Sequence, residues 1–222
     1  MCGRYGFEAG QRELLSRFQL GQVADQLTMS FNVTPGMTMP VVVKQSPNRL
    51  ELMEWGFLPR WAKDPRATRR PINARAETVA TSPMFRQAFR SQRCLVPASG
   101  FYEWQQRPGG KQPYWIQLKG GDLFVFAGLW ESWSDRDGHE THTYTIITRE
   151  PNALMAPIHN RMPVFLRRDD EALWLNPDET EAERLQALRR PCPPDEMEAW
   201  PVSRAVNNPQ NDSADLLRPA GH

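Results

Sequence analysis

Cys94-Leu95-Val96-Pro97-Ala98-Ser99-Gly100-Phe101-Tyr102-Glu103-Trp104-Gln105 opens the half of the chain that decides the fold. Two apolar runs, 94–97 and 101–105, flank a break of small residues. Runs of this length and make-up read as strands. Three more follow at 114–119, 123–129 and 141–148. Pro108-Gly109-Gly110 and Lys119-Gly120-Gly121-Asp122 read as hairpin-type breaks between them, because glycine enters the backbone conformations that tight reversals need. Upstream, 41–44 and 50–57 read as strands around the polar turn 45–48.

Helical signals are fewer. Leu14, Leu15 and Phe18 share one face of a short helix over 11–19. Ser82-Pro83 has the form of an N-cap followed by a first-turn proline, with Phe85 and Phe89 turned to the core. A further helix is expected before Ile158. Thr180 with Glu183 resembles a capping box that opens a helix through Leu185 and Leu188. Strands outnumber helices and follow one another directly. That pattern predicts a single α+β domain with antiparallel or mixed sheet and peripheral helices, rather than a parallel βαβ sheet. The domain is expected to span 1–210, with a polar, frayed tail over 211–222.

A chain of 222 residues is long enough for a full core. Three cysteines, Cys2, Cys94 and Cys192, cannot all pair and lack the short spacing of a metal knuckle, which predicts a reducing compartment. With no signal-like start and no membrane-length apolar run, the chain reads as a soluble cytoplasmic protein. Net charge is only +1, but residues 60–93 hold nine Lys or Arg against two acids. A local excess of +7 suits either a solvated face or a groove for a phosphate backbone. Much of it lies in 59–72, a connection long enough to be functional. No Gly-rich phosphate loop, dinucleotide fingerprint or metal-ligand cluster is present in the sequence, so no cofactor and no metal are expected.

The second residue is a cysteine. Excision of Met1, normal before a side chain this small, would leave Cys2 with a free α-amine beside its thiol. These groups titrate near ~8 and ~8.5 in unperturbed peptides, so each has a reactive fraction at neutral pH. An amine forms an imine with an aldehyde, and the adjacent thiol can close a five-membered thiazolidine intramolecularly. An internal cysteine lacks the amine. Position alone is equally compatible with an ordinary cysteine.

Three strings set polar groups among apolar or small neighbours: Pro71-Ile72-Asn73-Ala74-Arg75-Ala76-Glu77, Pro97-Ala98-Ser99-Gly100-Phe101-Tyr102-Glu103-Trp104 and Ile158-His159-Asn160-Arg161-Met162-Pro163. Taken singly, Asn73 fits a turn, Glu103 an exposed strand position and His159 a packing histidine. Together with Cys2, and with Phe31-Asn32-Val33-Thr34-Pro35, Trp55-Gly56-Phe57, Pro59, Trp61, Gln112-Pro113-Tyr114 and Pro201-Val202-Ser203-Arg204-Ala205-Val206-Asn207, they resemble the SRAP (SOS response-associated peptidase) family across most of the chain.

That resemblance implies a compact α+β domain around curved antiparallel sheet, and a covalent crosslink from Cys2 to the aldehyde of an abasic site in single-stranded DNA. It implies catalytic roles for Cys2, Asn73, Glu103 and His159, and a DNA path lined by Asn32, Met84 and Thr148. A lyase side reaction and self-removal of Met1 are further implied activities. The protein would act as a monomer without membrane attachment, joining the nucleoid when DNA is damaged. On the chemistry of the residues, His159 suits protonation of the sugar ring oxygen, and Glu103, raised by neighbours such as Trp104, suits proton transfer at the imine. Arg4 is placed to hold a flanking phosphate and to lower both Cys2 pKa values. Arg75 falls on the same strand face as Asn73, and Trp61 offers a stacking surface in the basic loop. Met84 reads equally as simple core. Two other readings stay open: a cysteine hydrolase using Cys2, His159 and Glu103 or Asn73, and a non-enzymatic single-strand binding module.

Overall fold

The computed structural model describes residues 2–21, 27–44, 47–188 and 190–221. The chain runs β1 (Arg4–Phe7), α1 (Gln11–Phe18), β2 (Ser30–Val33), β3 (Thr38–Val43), β4 (Arg49–Trp55), β5 (Asn73–Arg75), α2 (Arg86–Ser91) and β6 (Arg93–Ala98). It continues with β7 (Gly100–Arg107), β8 (Gly110–Leu118), β9 (Phe124–Ser134), β10 (Glu140–Arg149), β11 (Met162–Pro163), β12 (Phe165–Leu166), α3 (Arg168–Leu175), α4 (Ala182–Ala187) and β13 (Met197–Pro201). Every strand expected from sequence is present, within a few residues at its ends. Of the expected turn 45–48, Gln45 and Ser46 lie outside the described residues.

Two sheets form. One is antiparallel throughout, in the order β13-β8-β7-β1-β2. The other is mixed: β10, β4, β3, β6 and β9 pair in turn, and β9 pairs back to β10, closing a five-stranded barrel. Closure removes exposed sheet edges. This is the α+β domain that the sequence predicts, with short helices at the periphery.

The two sheets meet at Ser99. β6 ends at Ala98 in the barrel, and β7 begins at Gly100 in the other sheet. Only glycine fits at 100, since a Cβ there would sit 2.1 Å from the Trp115 ring. The Pro108-Gly109 break is a true two-residue hairpin, with Arg107 opposite Gly110 and Gly109 at φ +87°. The break at 119–122 is not a hairpin, because β8 and β9 belong to different sheets. Turn chemistry marks where a chain reverses but not which sheet it enters.

Side chains alternate along β7 between two cores. Phe101 enters the main core, while Tyr102 joins a smaller cluster with Trp115, Val202, Val206 and Leu216. Glu103 therefore falls on the main-core side with Phe101.

Two helix expectations and the expected tail need adjustment. Ser82 does not cap with its side chain; its carbonyl accepts from Phe85 and Arg86 in a turn, and regular helix starts at Arg86. Phe85 and Phe89 are buried as expected. Before Ile158 there is a run of turns instead of a helix. The segment from Asn211, expected to fray, folds back: Leu216 enters the smaller core, Leu217 O accepts from the Trp200 indole, and Asp212 accepts from the Phe31 amide.

The basic stretch also divides. Arg93 is buried and donates to five backbone carbonyls, those of Phe89, Arg90, Trp174, Asn176 and Glu179. Arg60 pairs with Glu131, and Arg70 with Glu54. Arg93 is thus a buried structural residue and Arg70 is half-buried, while Arg60 keeps an exposed side chain beside its partner. Arg93→Ala would strand buried acceptors, each worth roughly 1–3 kcal/mol. We expect urea unfolding to show a loss of about 3 kcal/mol or more, against under about 0.5 for the exposed Arg66→Ala.

Candidate active site

β1 lies antiparallel to β7 with Arg4 opposite Tyr102, so the residues just before β1 run alongside Glu103. β5 lies parallel to β10 with Asn73 opposite Ile146 and Arg75 opposite Thr148. From β5, the Asn73 amide donates to Cys2 O at 2.7 Å. That bond joins the N-terminal segment to the barrel. His159, at the end of the run of turns before β11, brings Nε2 to 3.8 Å from Glu103 Oε2. Four residues far apart in sequence thus share one place, as the strings predict.

Electrostatics at this place come mainly from burial. The Glu103 side chain is 2% exposed, and burial pushes its carboxyl up to about 7. Trp104 is not the cause, since it points to the opposite face of β7, beside Tyr102, and donates its indole N–H to Asn207 Oδ1. A carboxyl near 7 can both give and take a proton at neutral pH. Burial also lowers the His159 pKa, keeping the neutral ring available.

The imidazole is docked on one backbone unit. The Arg161 amide donates to Nδ1 at 3.1 Å, which puts the proton of the neutral ring on Nε2, toward Glu103. Nδ1 also lies 3.3 Å from the Arg161 carbonyl, an acceptor that serves the ring once Nδ1 carries a proton. Both protonation states therefore find a partner without movement of the side chain.

Cys2 is fully buried, and its Sγ lies 3.8 Å from Arg4 O. Burial, followed by the charge of Glu103, raises the thiol pKa well above its usual range. The contact with Arg4 O works in the opposite direction, as expected of Arg4, but burial and Glu103 outweigh it.

Arg4 itself donates to Asn32 Oδ1 (2.8 Å), Val206 O (2.6 Å) and Asn207 O (3.3 Å). Among the described residues no carboxylate pairs with it. Asn32, expected on the DNA path, is buried and gives its amide N–H groups to Val206, Asn208 and Asn211 carbonyls. These bonds tie it to the 206–211 segment. Thr148 is buried, with its hydroxyl lacking a partner among the described residues. Met84 is half-buried against the main core. Arg75 is exposed, and Trp61 is 59% exposed. A cleft of about 460 Å³ runs beside Asn73, lined by Arg69, Arg70, Pro71, Ile72 and Arg75.

A separate cavity of about 310 Å³, lined by residues including Arg168, Phe165 and Cys192, contains none of these groups. The ligand atoms of Asp135, Asp137 and His139 converge within 4.8 Å in the β9–β10 turn. Their mutual hydrogen bonds and the turn amides that Asp135 accepts explain that convergence.

The model of the SOS response associated peptidase (SRAP) family matches residues 1–209. The chain belongs to the SRAP family. It is 43% identical to the abasic site processing protein YoaM of Bacillus subtilis, with both chains fully covered. It is 30% identical to YedK of Escherichia coli, another abasic site processing protein, over 99% of this chain and 100% of that one. The crystal structure of a Bacteroides thetaiotaomicron protein superposes at TM-score 0.86 with 26% identity, covering 99% of this chain and all of that one. Within the SRAP fold, the sequence strings did not point to the bidentate ion pair between Arg161 and Glu77, although both residues lie inside them. Nor did they single out the Tyr5–Tyr144 hydroxyl pair buried in the core.

The raised Glu103 carboxyl has a stability consequence. A folded-state value near 7, above the unfolded ~4.3, means that the folded protein binds more protons between those limits. Stability contributed by the neutral carboxyl is present below about pH 4 and is lost as pH rises toward 7. Glu103→Gln should therefore be more stable than the parent above pH 7, by on the order of 3 kcal/mol, with the gap closing by about pH 4. Thermal unfolding from pH 4 to 8 reads this directly.

Proposed function

We propose that this protein captures abasic sites in single-stranded DNA by forming a covalent link through Cys2 after loss of Met1, which itself lies outside the described residues. The observation that carries the proposal is the joint placement of Cys2, held at its carbonyl by Asn73, with the proton-exchanging pair Glu103 and His159. The names of the relatives as abasic site processing proteins support the same substrate.

His159 protonates the ring oxygen while the anomeric hydroxyl gives its proton to solvent, and the C1–O bond breaks to leave the aldehyde. The Cys2 amine, freed of its proton by Glu103, attacks the aldehyde carbon. Glu103 returns that proton as water leaves, giving a protonated imine. The thiol then adds across the C=N bond. Sulfur bonds to carbon, the C=N bond becomes a C–N bond, and the thiol proton passes to Glu103. The raised thiol pKa supports the amine acting first, and so favours this order over a thiolate-first cysteine hydrolase. An imine that escapes ring closure is open to β-elimination, which accounts for a lyase side reaction. Self-removal of Met1 would use the same groups.

DNA is held by charge and stacking. Arg69 and Arg75 line the cleft beside Asn73, and Arg4 adds positive potential behind Cys2. Trp61 supplies an exposed aromatic face for an unpaired base. A single lesion per protein molecule and no added cofactor are required. The protein acts as a cytoplasmic monomer in this reading. Among the described residues, no helix is long and apolar enough to cross a membrane.

Intact-mass spectrometry before and after incubation with an abasic oligonucleotide reports loss of Met1 and gain of one DNA adduct together. Cys2→Ala should give no denaturation-resistant adduct, and Cys2→Ser only an imine trapped by borohydride. A chain that retains Met1 and still forms the full adduct refutes the amine mechanism. Trp61→Ala should weaken binding of a lesion-free single strand by about 5- to 100-fold, as read by fluorescence anisotropy.

A further inference from the structure

The Arg161 side chain reaches across three strands. It sits one residue before β11, and its Nη2 donates to the Thr148 carbonyl of β10 at 2.6 Å. Beyond β10, Nη1 and Nη2 meet Glu77 Oε1 and Oε2 at 2.8 and 2.9 Å. Glu77 stands in a turn that follows β5, fixed where the Thr78 and Val79 amides donate to Arg75 O. The Thr148 carbonyl also accepts from the Ala76 amide at 2.8 Å, so one oxygen receives a donor from each side. β5 carries Asn73 and β10 carries Thr148, while His159 sits two residues before Arg161. Two parallel charge-assisted bonds fix both distance and orientation, which a single contact does not.

We propose that Glu77 is a positioning residue: by gripping Arg161 across Thr148, it holds the backbone unit on which the His159 imidazole is docked, and so sets His159 against Glu103. The link is short. The amide and carbonyl that serve His159 Nδ1 belong to Arg161 itself. Arg161 is 15% exposed in its side chain and Glu77 45%, so the pair is half-sheltered at the edge of the site and accessible to ions at one end. Without Glu77, the guanidinium keeps the Thr148 carbonyl but loses its bidentate anchor. The 159–161 segment then gains freedom at the point where His159 needs fixed geometry.

The inference rests on the proposed function for its kinetic readout, but not for its structural one. In the free protein, ¹⁵N shifts of His159 should report Nε2 protonated in the neutral ring. Glu77→Gln should broaden these signals or shift them toward the average of both tautomers. On abasic single-stranded DNA at saturation, Glu77→Gln should slow adduct formation by about 10- to 100-fold, as expected for loss of near-attack geometry. Affinity for a lesion-free strand should stay within about 2-fold, and Glu77→Asp should recover part of the rate, since one charge-assisted bond is kept. In a His159→Gln background, Glu77→Gln should add little further slowing, since both changes act through one group.

Three outcomes overturn the proposal. One is unchanged His159 ¹⁵N signals in Glu77→Gln. Another is an equal further slowing in the His159→Gln background, which marks a general structural role. The third is tighter DNA binding with a faster reaction, which marks Glu77 as a competitor of phosphate for Arg161. If the parent protein forms no adduct at all while the ¹⁵N signals respond as stated, the functional reading fails and the positioning role stands.

Discussion

Hydrogen bonding along β10 is the constraint on which the molecule depends. A strand has two edges, and β10 uses each of them twice. One edge pairs first with β9 and then with β11; the other pairs first with β4 and then with β5. The first pair of partners closes the barrel. The second pair delivers Asn73 and the residues around His159 to the site. The scaffold and the chemistry are therefore set by the register of a single element. A one-residue slip would turn Thr148 and Ile146 to the other face and misplace β5 with them.

Burial does two opposed things at the site. It raises Glu103 into the range where a carboxyl exchanges protons at neutral pH, and it suppresses ionisation of the Cys2 thiol. A thiol kept protonated is a poor first nucleophile and resists oxidation. A buried carboxyl next to a neutral imidazole is a proton store whose two members can trade roles. Both effects follow from closing the site between two cores, and both favour chemistry that starts at nitrogen.

Much of the strand content was legible in the sequence because β-branched and aromatic runs between Gly and Pro breaks have few other folded uses. Sheet membership was not, because the switch at Ser99-Gly100 depends on the Trp115 ring fifteen residues on. The site's members were legible as polar groups in apolar strings. Their electrostatics were less so: Arg4 looked like a source of positive potential for the thiol, but the structure commits its donors to Asn32 and two carbonyls, and burial sets the sign. Glu103 was rightly read as a raised carboxyl but credited to the wrong neighbour, because strand alternation sends Trp104 to the far core. Arg93 shows the limit of counting charge. A guanidinium under a sheet and one in solvent are written with the same letter.

The Asn32 and Arg4 bonds to residues 206–211 tie the two ends of the polypeptide into one mechanical unit. The family match ends at 209, yet Asn211 O is held by Asn32, and Leu216 fills the smaller core. Trimming the chain at that boundary, or hanging a bulky fusion on it, would tug on the guanidinium two positions from Cys2. A handle fused near residue 211 would load the same segment that holds Arg4 in place.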